Sequence, residues 1–455
     1  MATHKRDDLV WGLIVLGVAA AAGLFVAVTS YSASPLLAPM LAVFGAFVWA
    51  AWTRPEWGLA GAGLALPLEL VHLPLPSGAL SPAEGSFALV AMLYVVRAIR
   101  RPEEIVTPSL RDWPIWLLLV SIAGGIAVAE SRAPVIRVLL MWSFFYLVYL
   151  QAQSLTPRQM RTVLGAFAIG VAILGAIGSV TYLGSSQSEL FSGGLYTSTR
   201  AAGTFQDANY YASMLALATL PAMALALYEP RRGWWIGLCA AVATAGIIFS
   251  LSRGGIIALA SGLLVMLTWN RARILMAALV AVFIALTLAN ANPIVNSSQF
   301  QTVSERLQTL GNSDLEATNR RPQIWQTAID LGIEHPLFGV GVNGFRLAAA
   351  QHLVFERGTG IENTHNMFLN YLAENGFTGF FAFLSLLVTV GVRCVRALAR
   401  SDGLSYAIAL GITATMVGFI LQGLTQMQLR VNVIAAGFFL LTGMITALAD
   451  APRRQ

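Results

Sequence analysis

The chain has 455 residues, of which 57% are hydrophobic and only 11% charged, with a formal net charge of +6. A soluble domain carries about twice that share of charge, and one core cannot bury so many apolar side chains, so lipid must solvate many of them. This excludes a soluble enzyme or a soluble nucleic-acid binder and leaves a multi-pass membrane protein.

Apolar runs long enough to span a bilayer recur from end to end. They are predicted at 10–30, 34–52, 57–74, 82–98, 112–129, 134–151, 159–183, 207–228, 233–251, 254–269, 274–290, 366–391, 404–422 and 431–448. The expected fold is all-α, a polytopic integral membrane bundle of about 12–14 transmembrane helices with a large helical extracytoplasmic loop. The run 57–74 is the least regular, because it contains Pro67, Glu69 and His72, and 233–251 and 254–269 are short. The first run is too long for a signal-peptide core and lacks a small-residue cleavage pattern, so no cleavable leader is expected.

Charge orients the bundle. With the N-terminus in the cytoplasm, eighteen of the 28 Lys and Arg residues fall in cytoplasmic segments and ten in outer ones. That bias in short loops obeys the positive-inside rule and places both termini in the cytoplasm. The net positive charge is therefore a matter of topology, and no nucleic-acid partner is needed to explain it. Cys239 and Cys394 fall in or at the ends of apolar spans, in no metal-ligand spacing.

Four parts follow: N-terminal spans (1–183), central spans with outer Arg motifs (184–290), a large extracytoplasmic loop (291–365), and C-terminal spans with a cytoplasmic tail (366–455). The loop is far longer than an ordinary connection, which marks it as functional or separately folded. Within it, Asn319–Gly332 reads as a helix with Pro322 in its first turn, where the missing N–H costs nothing. Its face of Ile324, Trp325, Ala328 and Ile329 is predicted to lie on the bundle or on the membrane surface. A second helix is predicted over Phe345–Phe355, before the chain re-enters the membrane at His365.

Outer arginines run against the charge bias and so need a reason. Arg132, Arg306, Arg357 and Arg430 are read as snorkelling or capping residues. Arg200, Arg253 and Arg321 differ, since each sits beside Gly or Pro at a chain reversal. Guanidinium groups there suit bidentate contact with phosphate oxygens, which Lys makes less well. Arg320 and Asn209 flank them as candidate binding residues. His365 is the sharpest single candidate, because an imidazole at the membrane boundary suits proton transfer from a hydroxyl. His4, His72, His335 and His352 are read as interfacial. On a helical wheel His365 and Glu374 fall on opposite faces, roughly 13 Å apart along the axis. Glu374 is therefore assigned to a buried polar network with Asn366 and Asn370 on its side, and not to a pair with His365.

In this order the segments resemble the O-antigen ligase and Wzy-type O-antigen polymerase superfamily. The matching pieces are Arg200-x-x-Gly203-Thr204-Phe205-x-x-x-Asn209 and Ser252-Arg253-Gly254-Gly255. They are followed by Arg321-x-x-Ile324-Trp325 with Pro336-Leu337-Phe338-Gly339-Val340-Gly341 after it as a third piece, and by His365-Asn366-x-x-Leu369-x-x-Leu372-x-Glu374-x-Gly376-x-x-Gly379 as the fourth. Four motifs in order around one large outer loop are specific; the resemblance covers about 200–380 and is topological elsewhere. It implies a GT-C-like, metal-independent transferase in the bacterial inner membrane, with its active site on the extracytoplasmic face. The donor is a polyprenyl-pyrophosphate-linked glycan and the acceptor a hydroxyl on a lipid, a protein or a glycan, with no cofactor. On this reading His365 is the general base, Arg253 and Arg321 act catalytically on the pyrophosphate, and Arg200, Arg320, Asn209 and Asn366 bind substrate. Two rivals remain at this point. A peptidoglycan-type transferase would place a catalytic Asp in the loop, where Asp314 and Asp330 are available. A lipid-glycan transporter or flippase would show repeats and ionisable groups at mid-membrane.

Overall fold

Once lipid replaces water, only a helix or a closed barrel satisfies every backbone N–H and C=O within the spanning segment. The apolar runs accordingly become helices in the computed structural model, which describes residues 37–69, 73–75, 78–184, 200–205, 207–231, 233–268, 315–352 and 363–451. The spans expected at 10–30 and 274–290 lie outside these residues, as do most of the loops around 184–206 and 291–314 that were expected on the outer side.

Among the described residues fourteen α-helices follow one another: α1 (Leu37–Thr53), α2 (Pro55–Leu64), α3 (Pro82–Arg100), α4 (Trp113–Val128), α5 (Arg132–Gln153), α6 (Pro157–Gly184), α7 (Ala208–Tyr228), α8 (Trp234–Phe249), α9 (Arg253–Met266), α10 (Leu315–Glu334), α11 (Phe345–His352), α12 (Met367–Arg400), α13 (Gly403–Gly423) and α14 (Asn432–Asp450). Eight segments of the described residues are long and apolar enough to cross a membrane: α3, α4 with the short turn before it, α5, α6, α7, α12, α13 and α14. At 16 and 14 residues, α8 and α9 reach only about 24 and 21 Å, less than the bilayer core.

The run 57–74 does not form a span. Helix α2 stops at Leu64, a 3-10 turn covers Leu66–Leu68, and an antiparallel hairpin follows, β1 (Leu73–Leu75) with β2 (Gly78–Leu80), Leu73 opposite Leu80. Pro67, Pro74 and Pro76 remove N–H donors from the segment, and a proline ring clashes with the preceding turn of a helix. Hydropathy alone hides that interruption.

Helix α13 packs between α7 and α9, α6 packs on α8 and α2, α14 on α5, and α12 on α4, α10 and α14. Tyr149, Tyr211, Phe87, Phe345, Phe383, Phe438 and Phe439 are the largest side chains wholly inside among the described residues. One end of the bundle is stapled by charge. Arg393 of α12 donates to Tyr149 Oη (2.7 Å) and Thr446 Oγ1 (2.9 Å), and its other terminal nitrogen lies 3.5 Å from Asp112 Oδ1. Tyr146 and Tyr149 also donate to the Asp112 carboxylate. Four chain segments are tied together there, and every member of the ion pair has hydrogen-bonding partners, as a buried pair requires.

The opposite end is shaped by a break in α12. Gly376 has φ 63° and ψ −166°, a conformation that essentially only Gly adopts. The interruption frees backbone groups, and the 336–341 stretch satisfies them. Phe377 N–H donates to Pro336 O (2.7 Å) and Val340 N–H to Ala373 O (3.0 Å), while Ser121 Oγ–H donates to Asn375 O (3.2 Å). Gly339, also at positive φ, lies so close to the backbone of 373–375 that it has no room for a Cβ, and Phe338 seats against Gly124 of α4. The Pro336–Gly341 motif thus clamps the segment between α9 and α12 into a broken transmembrane helix, an arrangement tolerated at that depth only where protein covers it.

A Cβ on Gly376 would lie 2.6 Å from Pro336 O and 2.7 Å from the Leu337 carbonyl carbon. Gly376→Ala is expected to cost about 3 kcal/mol or more and to lower the thermal unfolding midpoint in detergent sharply. Gly391→Ala, in the same helix with nothing within 4 Å of the new methyl, should be neutral or stabilising.

Candidate active site

The loop before α7 folds against the α8–α9 turn. Ala201 N–H donates to Phe249 O, and Gly203, at φ 56°, allows the tight turn that brings Phe205 N–H to Ala202 O. Arg200 is thereby aimed along the turn. Its Nε donates to Ser250 O (2.9 Å) and its Nη2 to Asn209 Oδ1 (2.9 Å). The same Asn209 oxygen accepts from Ser252 Oγ (2.9 Å). Asp207 caps α7, accepting from the N–H groups of Asn209 and Tyr210. Arg200 and Asn209 therefore hold α7 to the α8–α9 turn, which Leu251 closes at φ 50°.

Ser252 caps α9 by accepting from Gly255 N–H (3.2 Å), so Arg253 is the first helical residue. Orphan N–H groups and the positive end of the helix dipole surround it. A Cβ on Gly254 would meet Thr425 Oγ1 at 2.9 Å, so the start of α9 lies directly on the end of α13. Arg321 is in α10. Burial first, and then the nearby Arg253 charge, hold its guanidinium below its ordinary value. The Arg253 charge is therefore felt at Arg321, although the two are 68 residues apart in the chain. Among the described residues neither forms an ion pair with a carboxylate.

Helix α10 starts at Leu315, earlier than the Asn319 expected from the sequence, so Pro322 lies inside it and not in its first turn. Its apolar face is confirmed and turned inward. Ile324, Ala328 and Leu331 pack with Phe345, Ala349 and Ala373 in a small core of their own, with Trp325 beside it. Trp325, one turn from Arg321, donates its indole N–H to Thr364 O (3.1 Å). Arg320 is in the same helix at the position preceding Arg321. Helix α11 is described to His352.

His365 precedes α12, at φ 50°. Its N–H donates to Asn363 Oδ1 (2.8 Å), and Asn363 reaches Tyr210 Oη of α7 at 3.5 Å. Thr364 Oγ1 donates to Asn366 O (2.6 Å). His365 Nδ1 lies 3.2 Å from Gln426 Oε1. In that orientation the amide oxygen accepts the Nδ1 proton, which leaves Nε2 as the unprotonated ring nitrogen. The α13–α14 turn thus holds the imidazole through Gln426, and through Thr425 the same turn lies against the start of α9. Gln426, Thr364 and Tyr210 were not singled out from the sequence, and Trp325 was read only as part of an apolar face and a motif. The one visible hint was the run Gln422, Thr425, Gln426 and Gln428, polar residues breaking an apolar stretch at a span's outer end.

Asn366 and Glu374 go elsewhere. Asn366 is the N-cap of α12, accepting from Phe368 and Leu369 N–H, so it does not join the Glu374 network. Glu374 is buried, accepting from Asn370 Nδ2 (2.9 Å), Phe345 N–H (3.4 Å) and the Asn343 backbone. It ties α11 and the turn before it to α12. Beside this region, Ser81 Oγ donates to Glu69 (2.6 Å), and Glu84 accepts from Ser81 N–H and from Asn432 Nδ2. Burial, partly offset by that Ser81 bond and reinforced by Glu84, pushes the Glu69 carboxyl up to about 7.

Residues 238–384 match the family model described as O-Antigen ligase. No curated protein matches the chain. The matched segment takes in Arg253, Arg321, His365 and Glu374, the Pro336–Gly341 clamp and the Gly376 break; Arg200 and Asn209 precede it. Over residues 238–384 the chain is thus similar to the O-antigen ligase family, in keeping with the superfamily that the sequence motifs resemble.

Proposed function

We propose that the protein is an inner-membrane transferase that moves a glycan from a polyprenyl-pyrophosphate carrier to an acceptor hydroxyl on the extracytoplasmic face. The observation that carries this reading is that the Arg253 charge acts on Arg321, neither ion-paired to a carboxylate among the described residues, while the α13–α14 turn touches both the start of α9 and His365. Such a pair is costly without an anion, and a pyrophosphate supplies one. In the reaction the acceptor oxygen attacks the anomeric carbon and its proton passes to His365 Nε2. The bond from that carbon to the pyrophosphate oxygen breaks, and the leaving group departs with both electrons to the guanidinium groups. A single displacement inverts the anomeric centre. Arg200 takes a positioning role, since its Nε and one terminal nitrogen are held by Ser250 and Asn209.

Both termini are placed in the cytoplasm on this reading, because the stapled end around Arg393 and Asp112 coincides with the Arg-rich side. The test is reconstitution in liposomes with a polyprenyl-pyrophosphate-linked glycan and lipid, protein and glycan acceptors. Glycosylated acceptor and free polyprenyl pyrophosphate are expected without any nucleotide sugar. Movement of the intact carrier across the bilayer with no new glycosidic bond would identify a flippase instead.

A further inference from the structure

A second polar feature lies one step deeper than His365, and the transferase chemistry makes no use of it. A cavity with about 50 Å3 of room sits between α5, the first half of α12 and the α13–α14 turn, lined among others by Trp142, Asn370, Tyr371, Glu374, Asn375 and Arg430. Asn370, Tyr371, Glu374 and Asn375 are each less than 5% exposed. Among the described residues, Asn370 Oδ1, Tyr371 Oη and Asn375 Nδ2 have no hydrogen-bond partner. Buried polar groups are almost always satisfied, so three orphans around one cavity call for a ligand or for water.

The chemistry of the lining selects the ligand. An anion would meet the Glu374 carboxylate, and a cation would meet Arg430 and the Asn375 amide N–H. A neutral polyol meets neither objection. Each of its hydroxyls donates once and accepts once, which suits an unpaired acceptor (Asn370 Oδ1) set among unpaired donors (Asn375 Nδ2 and Tyr371 Oη). Trp142 and Tyr371, with ring centroids 6.4 Å apart and edge to face, give the wall an apolar part that fits the C–H face of a sugar. The volume holds a few waters, so the hydroxylated edge of a ring enters and not the whole ring. The α13–α14 turn joins this cavity to the imidazole, because Gln426 holds His365 while Met427 and Arg430 line the cavity.

We propose that this cavity is a subsite that takes the hydroxyl groups of a neutral sugar in the glycan substrate. The identification of the polyol as a sugar rests on the transferase reading above; the complementarity to a neutral polyol does not.

Tyr371→Phe tests the proposal cleanly, since it removes only an oxygen that has no partner in the protein. If the residue is purely structural, nothing is lost. If it lines a sugar subsite, the KM for the glycan rises about tenfold, the loss of roughly one hydrogen bond, while kcat stays within twofold. Asn375→Ala should behave alike, and it serves if Tyr371→Phe fails to fold. In parallel, glucose, galactose and N-acetylglucosamine are added to the full-length protein in nanodiscs and the unfolding midpoint is read, with glucuronate as the charged control. At least one neutral sugar is expected to raise the midpoint of wild type and of His365→Ala, and to leave Tyr371→Phe unmoved. A wild-type midpoint that no sugar raises, together with an unchanged KM in Tyr371→Phe, overturns the subsite while leaving the transferase standing. A sugar response abolished by Tyr371→Phe in a protein that transfers no glycan does the reverse. A response to glucuronate equal to that of the neutral sugars overturns the assignment of a neutral ligand.

Discussion

Replacing His365 with Ala is expected to lower glycan transfer by about 10²–10⁴-fold, the range that a positioned general base contributes, with the fold intact. The geometry around the residue is the reason to expect both halves of that result. The hydrogen bond from His365 to Asn363 uses the backbone N–H, and the α12 cap belongs to Asn366; Ala keeps both. What disappears is the imidazole, whose Nδ1 is engaged by Gln426, leaving the lone pair on Nε2. Helix α12, the Trp325–Thr364 contact and the Gly376 clamp do not depend on it. The measurement is turnover of a polyprenyl-pyrophosphate-linked glycan by wild type and variant in matched nanodiscs, alongside donor binding and the unfolding midpoint. Full turnover in the variant would take His365 out of the chemistry and leave it a capping residue at the membrane boundary.

How the sequence foreshadowed this site depends on the range over which each signal acts. Signals that live in one short stretch were legible. The Ser252-Arg253-Gly254-Gly255 turn, the Arg321-x-x-Ile324-Trp325 face and the His365-Asn366 start of a span all appear where they were expected. Partners far apart in the chain were not legible. Nothing local says that Gln426 meets His365 across 61 positions, or that Trp325 reaches Thr364. The helical wheel that set His365 opposite Glu374 treated both as helical, whereas His365 lies before the cap at positive φ. Separate hydrogen-bond networks, and not a face angle, keep the two residues apart. Two further differences come from proline. Pro322 is inside α10 because the helix begins seven residues before it, and propensity at the first turn is only a preference. Pro67, Pro74 and Pro76 turn a hydrophobic run into a short helix and a hairpin, which a count of apolar residues cannot register. The break at Gly376 was hidden for the opposite reason: the run is apolar throughout, and the strain is relieved by a loop some forty residues earlier.

The Arg253–Arg321 pair supplies the second large expected effect, and it separates a functional from a structural reading. Arg321 is half-buried beside a like charge, an arrangement that opposes folding in the absence of an anion. Arg321→Gln should therefore raise the unfolding midpoint of the ligand-free protein while lowering transfer by about 10²–10³-fold, as loss of one donor to a developing negative charge does elsewhere. Arg253→Lys and Arg321→Lys keep the charge and lose the planar fork, so turnover should fall while attraction of the anionic donor persists. Inorganic pyrophosphate gives an independent readout. It should raise the midpoint of wild type more than that of Arg321→Gln, because each guanidinium removed takes away both the repulsion that the anion relieves and part of its binding energy. A variant that is less stable than wild type, responds equally to pyrophosphate and turns over normally would make Arg321 a structural residue of α10. The like-charge pair would then need another counterion. A gain in stability coupled to a loss of transfer is what a site built around an absent anion produces, since there the folded protein carries a repulsion that only its substrate removes.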